Sequence, residues 1–115
     1  MAYRFSMAAC RSIITELLPT GHPTIEHAAG RLGISVRTLQ RRIRERGQSF
    51  SHLVETIRWK RAQHLLSRPG AHMTDVAKAL GYADPSSFSR AFRRWTGISP
   101  RDYQRACDRR RLNRS

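Results

Sequence analysis

The sequence predicts an all-α fold of seven helices, and three observations predict it. Apolar residues recur at helical spacing between breaks, as in Leu53, Val54 and Ile57. No stretch shows the apolar–polar alternation of a half-buried strand. Glycine and proline separate the helical stretches, and the pattern of the first half returns in the second.

In chain order, Ser6 is placed to cap a first helix with apolar residues Ala9, Ile13, Ile14, Leu17 and Leu18. The run from Pro19 to Pro23 breaks it. Thr24 caps a short second helix, where Glu26 in the first turn complements the positive end of the helix dipole. Its inner face is Ile25, Ala28, Ala29 and Leu32, and Gly33 ends it by tolerating a left-handed backbone. Ser35 starts a third helix running to about Arg46, and Gly47 stops it.

Ser49 opens the longest stretch, a stripe of Phe50, Leu53, Val54, Ile57, Ala62, Leu65 and Leu66 reaching about Ser67. Pro69 and Gly70 end it. Thr74 starts a fifth helix through Val76, Ala77 and Leu80 to Gly81. Asp84 before Pro85 is an N-cap followed by proline at the first helical position. Phe88, Phe92 and Trp95 form that helix's inner face until Gly97. Ser99 and Pro100 repeat the start signal for a last helix with Tyr103 and Ala106, expected to fray in the basic end, residues 109–115.

The duplication is specific. Ala29, Leu32 and Gly33 align with Ala77, Leu80 and Gly81 at an offset of 48, and Leu39, Arg41 and Ile43 with Phe88, Arg90 and Phe92 at 49. One extra residue therefore lies in the second turn. Helix, glycine-containing turn and helix make a helix-turn-helix. The expected organisation is one helix-turn-helix subdomain over residues 1–47, a linker helix over 48–68 and a second subdomain over 69–115.

A helix-turn-helix sends its second helix into the DNA major groove. With Val36, Leu39 and Ile43 turned inward, the opposite face carries Arg37, Gln40, Arg41 and Arg44. Arginine can grip guanine O6 and N7 together, and glutamine matches adenine N6 and N7. Arg42 and Arg46 are expected to face phosphate or solvent. The corresponding face of the second unit is Ser86, Ser89, Arg90 and Arg93. Serine hydroxyls discriminate bases weakly, and Pro85 offers no polar group. Arg90 is thus expected to carry most of the second unit's direct readout, and the first unit to dominate specificity. A purely solvated first face, and a second unit that only clamps the backbone, stay open as alternatives. A linker helix over residues 49–67 spans roughly 28 Å at 1.5 Å per residue, against about 34 Å for one DNA turn. That length suits two successive major grooves, read by a monomer with some bending of the duplex.

Charge points the same way. Twenty-two Lys+Arg against eight Asp+Glu give a net charge of +14, and Arg supplies twenty of the cations. An acidic partner follows, nucleic acid first and anionic membrane second, although codon bias alone also enriches arginine. Cys10 and Cys107 lie far apart and outside any C-x-x-C, which disfavours a disulfide scaffold or a cysteine zinc site. No apolar run approaches the ~20 residues of a membrane span. The first ten residues lack the apolar core of a secretory signal, so a cytoplasmic setting is expected.

Three motifs then stand in combination. The first is Ala29, Leu32, Gly33, Ser35, Arg37, Leu39 and Arg41; the second is Arg58, Ala62, Leu65 and Leu66. The third runs from Val76 through Gly81, Tyr82, Asp84, Pro85, Phe88, Arg90, Phe92, Trp95 and Gly97 to Pro100. Together they resemble the AraC/XylS family of bacterial transcription regulators over about residues 8–106. The resemblance implies a seven-helix DNA-binding domain, usually the C-terminal part of a larger regulator that commonly activates transcription. It places base contacts on Arg37, Gln40 and Arg41, and on Ser86, Ser89 and Arg90. Gln104 follows Tyr103 where the family often has arginine, with Arg105 next, and neither receives a role. The chain has no room for the family's effector-binding or dimerisation domain, so a fragment is expected, with a short stand-alone member as the alternative; this domain is expected to be monomeric, with RNA polymerase a candidate second partner.

Rival classes fit less well. No phosphate-loop, nucleophile-elbow or H-E-x-x-H motif is present. The histidines at 22, 27, 52, 64 and 72 lack ligand spacing with the cysteines and read as surface or part-buried side chains, with His27 free to pack. No enzyme activity, cofactor or metal is expected. Nonspecific DNA or RNA binding, or the DNA-binding portion of a transposase, remains as the alternative. A membrane-surface peptide fits least, because the apolar stripes suit packing of helices against each other. Trp59 and Trp95 are accounted for by that packing, and Trp59 equally suits a DNA or domain interface.

Overall fold

The computed structural model describes residues 5–113. Its elements are α1 (Met7–Leu17), α2 (Ile25–Leu32), α3 (Val36–Arg44), α4 (Phe50–Leu66), α5 (Met73–Ala79), α6 (Pro85–Thr96) and α7 (Pro100–Asn113), with a 3-10 turn over Leu18–Thr20. No strand occurs among the described residues. The expected all-α fold of seven helices is what the described residues adopt. It divides into two compact units within α4, between Arg58 and Trp59. Residues 1–4 and 114–115, which the expected end segments include, lie outside the described residues.

In the first unit, side-chain caps satisfy the free N–H groups at the helix starts. Ser6 Oγ accepts from the Ala9 N–H at 3.2 Å, Thr24 Oγ1 from His27 at 3.1 Å and Ser35 Oγ from Thr38 at 3.1 Å. Ser49 Oγ does the same for His52 at 3.1 Å and so starts α4. The core is Cys10, Ile14, Leu17, Leu18, Ala28, Ala29, Leu32, Leu39, Ile43, Leu53, Val54 and Ile57, all buried. Arg58 is buried beneath it and donates through Nη2 to the Gly21 carbonyl oxygen at 3.4 Å, tying down the loop after α1. An exposed ion pair between Glu16 and Arg31 links α1 to α2.

Some details differ from expectation. Ile13 and Leu65 are only half-buried, while His27 is exposed, in keeping with a surface histidine. α3 ends at Arg44, two residues early, because Gly47 turns left-handed with φ +71°. The bonds tighten ahead of it, with the Gly47 N–H donating to Arg44 O at 2.8 Å.

The second unit is built around aromatic rings. Phe88, Phe92, Val76, Ala77, Leu80, Ala62, Leu66 and Ala91 are buried. Phe92 meets Trp59 and Tyr103 edge-on, both at 5.5 Å between centroids, and Phe88 at 5.7 Å. Such edge-to-face contacts place the positive ring edge on the negative face of its neighbour. α5 starts at Met73 rather than Thr74, because the His72 carbonyl already accepts from the Val76 N–H at 3.0 Å. α7 does not fray at residue 109 but continues to Asn113. Arg111 secures that end by donating through Nη2 to Ser67 O at 2.9 Å and to Asp108 Oδ1 at 2.8 Å. No described helix is long and apolar enough to cross a membrane.

Candidate nucleic-acid interface

The sequence of α3 fixes which way it faces. Ser35 caps it, and its carbonyl accepts from the Leu39 N–H at 3.0 Å. Leu39 and Ile43, four residues apart, are buried and set the helix's rotation. Val36, the third residue expected to point inward, sits in the first turn and is only half-buried. Arg37, Gln40, Arg41 and Arg44 are then all exposed. Arg37, Gln40 and Arg44 have no side-chain partner among the described residues, so their donors are free for a ligand. Gln40 and Arg44 border an open groove of about 320 Å³ that also touches Ile25, Gln48 and Ser51.

Arg41 is the exception on that face. Its Nε lies 3.9 Å from Glu45 Oε1, while Glu45 Oε2 lies 3.6 Å from Nη1 of Arg42. Arg42 is half-buried, and its carbonyl accepts from Nη1 of Arg46 at 3.1 Å. The Arg46 guanidinium sits 5.0 Å above the Phe5 ring. Both arginines are thus engaged by the protein itself, beyond the phosphate or solvent contact expected of them.

The same turn recurs in the second unit. The Ile34 N–H donates to Ala29 O at 3.1 Å after α2, and the Tyr82 N–H donates to Ala77 O at 2.9 Å after α5. The pairs are equivalent at the offset of 48, so the duplication extends to the backbone bonds. The additional residue precedes α6, whose cap is Asp84: its Oδ1 accepts from the Ser87 N–H at 2.7 Å. That backbone bond holds the Asp84 carboxyl below its ordinary value, helped by the Ser87 hydroxyl and the nearby Arg90 charge. Phe88 and Phe92 are buried, leaving Ser86, Arg90 and Arg93 exposed and Ser89 half-buried. Arg90 makes only a 3.4 Å contact with Ser87 Oγ, and Arg93 has no partner among the described residues.

All four of these residues line one groove of about 460 Å³. Arg101, in the first turn of α7, lines it too. Sequence reasoning missed Arg101, since the Ser99–Pro100 start signal gives its place in α7 but not which helix it lies beside. Among the described residues, no three of His, Cys, Asp and Glu gather as a metal ion would need. The chemistry on offer is a set of exposed guanidiniums, amide and hydroxyls on two helices.

Residues 28–106 match the family model of a helix-turn-helix domain. The chain is 40% identical over 88 residues to the HTH-type transcriptional regulator VirS of Mycobacterium tuberculosis, covering 76% of this chain and 26% of that protein. It thus spans about a quarter of the length of that curated relative. A DNA-binding transcriptional dual regulator from Escherichia coli K-12 superposes with a TM-score of 0.80 at 27% identity, over 95% of this chain and 98% of that one. The DNA-binding domain of AdpA, a global transcriptional factor solved with a target DNA, gives 0.73 at 31% identity, over 91% and 95%.

Proposed function

Because this chain belongs to the helix-turn-helix domain family, in its AraC type, we propose that it reads double-stranded DNA through two recognition helices, α3 and α6. The observation that carries the reading is the α3 face. Buried Leu39 and Ile43 leave Arg37, Gln40, Arg41 and Arg44 exposed together. In this reading Arg37, Arg41 and Arg44 grip guanine edges or flanking phosphates, and Gln40 pairs with adenine. Arg90 carries direct readout from α6, with Ser86, Ser89 and Arg93 at the sugar-phosphate backbone or bridging water.

In this reading two helix-turn-helix subdomains, residues 1–47 and 69–115, are joined by a linker, residues 48–68, that contains α4 (Phe50–Leu66). α4 has 17 residues, about 25 Å at 1.5 Å per residue, and one DNA turn is about 34 Å. We assign the two recognition helices to successive major grooves on one face of a duplex, with some bending. The domain binds as a monomer and catalyses no reaction. It acts in the cytoplasm as the DNA-binding part of a transcription activator, with RNA polymerase as second partner and an effector or dimerisation domain supplied elsewhere in the regulator.

Selection of bound sequences from a random duplex pool tests this. Two enriched blocks about one helical turn apart are expected. A single block would confine readout to one unit, and no enrichment would leave only nonspecific attraction to phosphate.

A further inference from the structure

The recognition face carries one acid, and its position is unfavourable for both neighbours it would meet. Residues 36–46 hold five arginines and a single carboxylate, Glu45. Glu45 is the C-cap of α3, where the dipole's negative end disfavours an anion. It is also next to the surface proposed to meet phosphates, which it would repel. Yet its two oxygens are divided between Arg41 Nε at 3.9 Å and Arg42 Nη1 at 3.6 Å. On the α3 face, Arg37 and Arg44 have no such partner among the described residues.

We propose that Glu45 is a positioning residue that sets the base selectivity of Arg41. The inference rests on the DNA-reading role of α3. A guanidinium has three nitrogens, and the one nearest the carboxylate is the inner one, Nε, at 3.9 Å, an ion-pair distance rather than a hydrogen bond. Nη1 and Nη2 remain together at the outer end, the pair needed to donate to guanine O6 and N7 at once. The attraction between the two charges biases the exposed side chain toward orientations that present this pair outward. The carboxylate also opposes indiscriminate attraction of the same arginines to phosphate. Glu45 therefore trades general affinity for selectivity, and the Arg42 charge, 3.6 Å away, attracts its second oxygen.

The test uses four proteins, wild type, E45Q, R41A and the double variant, each titrated onto the selected duplex, its single-base-pair variants and a random duplex at fixed salt. Glu45 is exposed, and glutamine keeps its shape, so E45Q should melt like wild type. E45Q is expected to bind the random duplex about twofold more tightly. Its preference at the base pair relaxed by R41A should fall about threefold. In the R41A background, E45Q should leave every base preference unchanged. If R41A relaxes a preference and E45Q does not, or if E45Q still alters preference without Arg41, the positioning role is wrong. If R41A relaxes no preference at all, the reading of Arg41 as a base contact fails, and the positioning role fails with it.

Discussion

Asp84 Oδ1 accepts the Ser87 backbone N–H at 2.7 Å, closing the first turn of α6. Ser6, Thr24, Ser35, Ser49 and Ser99 cap other helices with hydroxyls, so this side-chain cap is a titratable one. The bond holds the Asp84 carboxyl below its ordinary value. Its contribution to stability is thus present above that ordinary value and is lost as pH falls through the lower, folded one. Asp84→Asn keeps an equivalent cap at neutral pH and removes the proton site. The acid side of the melting-temperature profile should flatten in D84N, while the neutral melting temperature stays near wild type.

Arg41→Ala and Gln40→Ala should each relax preference at particular base pairs. A bidentate contact contributes roughly 1–3 kcal/mol of discrimination, so the preferred base should lose about fivefold or more of its advantage. Titration onto single-substitution duplexes at constant salt reads this directly.

Phosphate contacts behave differently. Arg109, an exposed guanidinium on α7, is read as a phosphate contact, so Arg109→Ala should weaken selected and random duplexes alike and lower the slope of log K against log salt by about 1. Arg101, which shares the α6 groove with Arg90 and Arg93, should give the same uniform loss. A base-specific loss in R101A would instead make it a reader.

Core truncations should cost far more than surface changes. Leu39, fully buried on the inner face of α3, should lose about 2–5 kcal/mol on replacement by alanine. Phe92, which meets Phe88, Trp59 and Tyr103, should lose about 3–5 kcal/mol. Urea unfolding of each variant measures both.

The two thiols should react in sequence. Cys10 is fully buried, and burial pushes its pKa up, so little of the reactive thiolate forms. Cys107 is half-exposed. A thiol reagent followed by mass spectrometry should label Cys107 first, and Cys10 only as denaturant opens the first unit.

Much of this structure was legible because it is local. A cap needs a hydroxyl or carboxylate three residues before its donor, and Ser6, Thr24, Ser35, Ser49, Asp84 and Ser99 all serve as read. The rotation of α3 was legible too, since Leu39 and Ile43 leave only one face for Arg37, Gln40, Arg41 and Arg44. What escaped depends on distant partners. α7 persists because Arg111 reaches a carbonyl 44 residues earlier, and no helical period encodes that. Arg101 lies beside Arg90 only through the packing of α7. The sharing of Glu45 between Arg41 and Arg42 needs side-chain coordinates. α3 stops early for a local reason, the left-handed Gly47, whose tightening effect upstream is set by backbone geometry rather than residue pattern.

The aromatic cluster has a practical consequence. Both tryptophans of the chain, Trp59 and Trp95, lie in the second unit, 6.2 Å apart, and the first has none. Intrinsic fluorescence is therefore a built-in, label-free optical probe of one half of the molecule. Comparing it with circular dichroism, which follows helices everywhere, would reveal whether the two halves melt as one cooperative body or in turn.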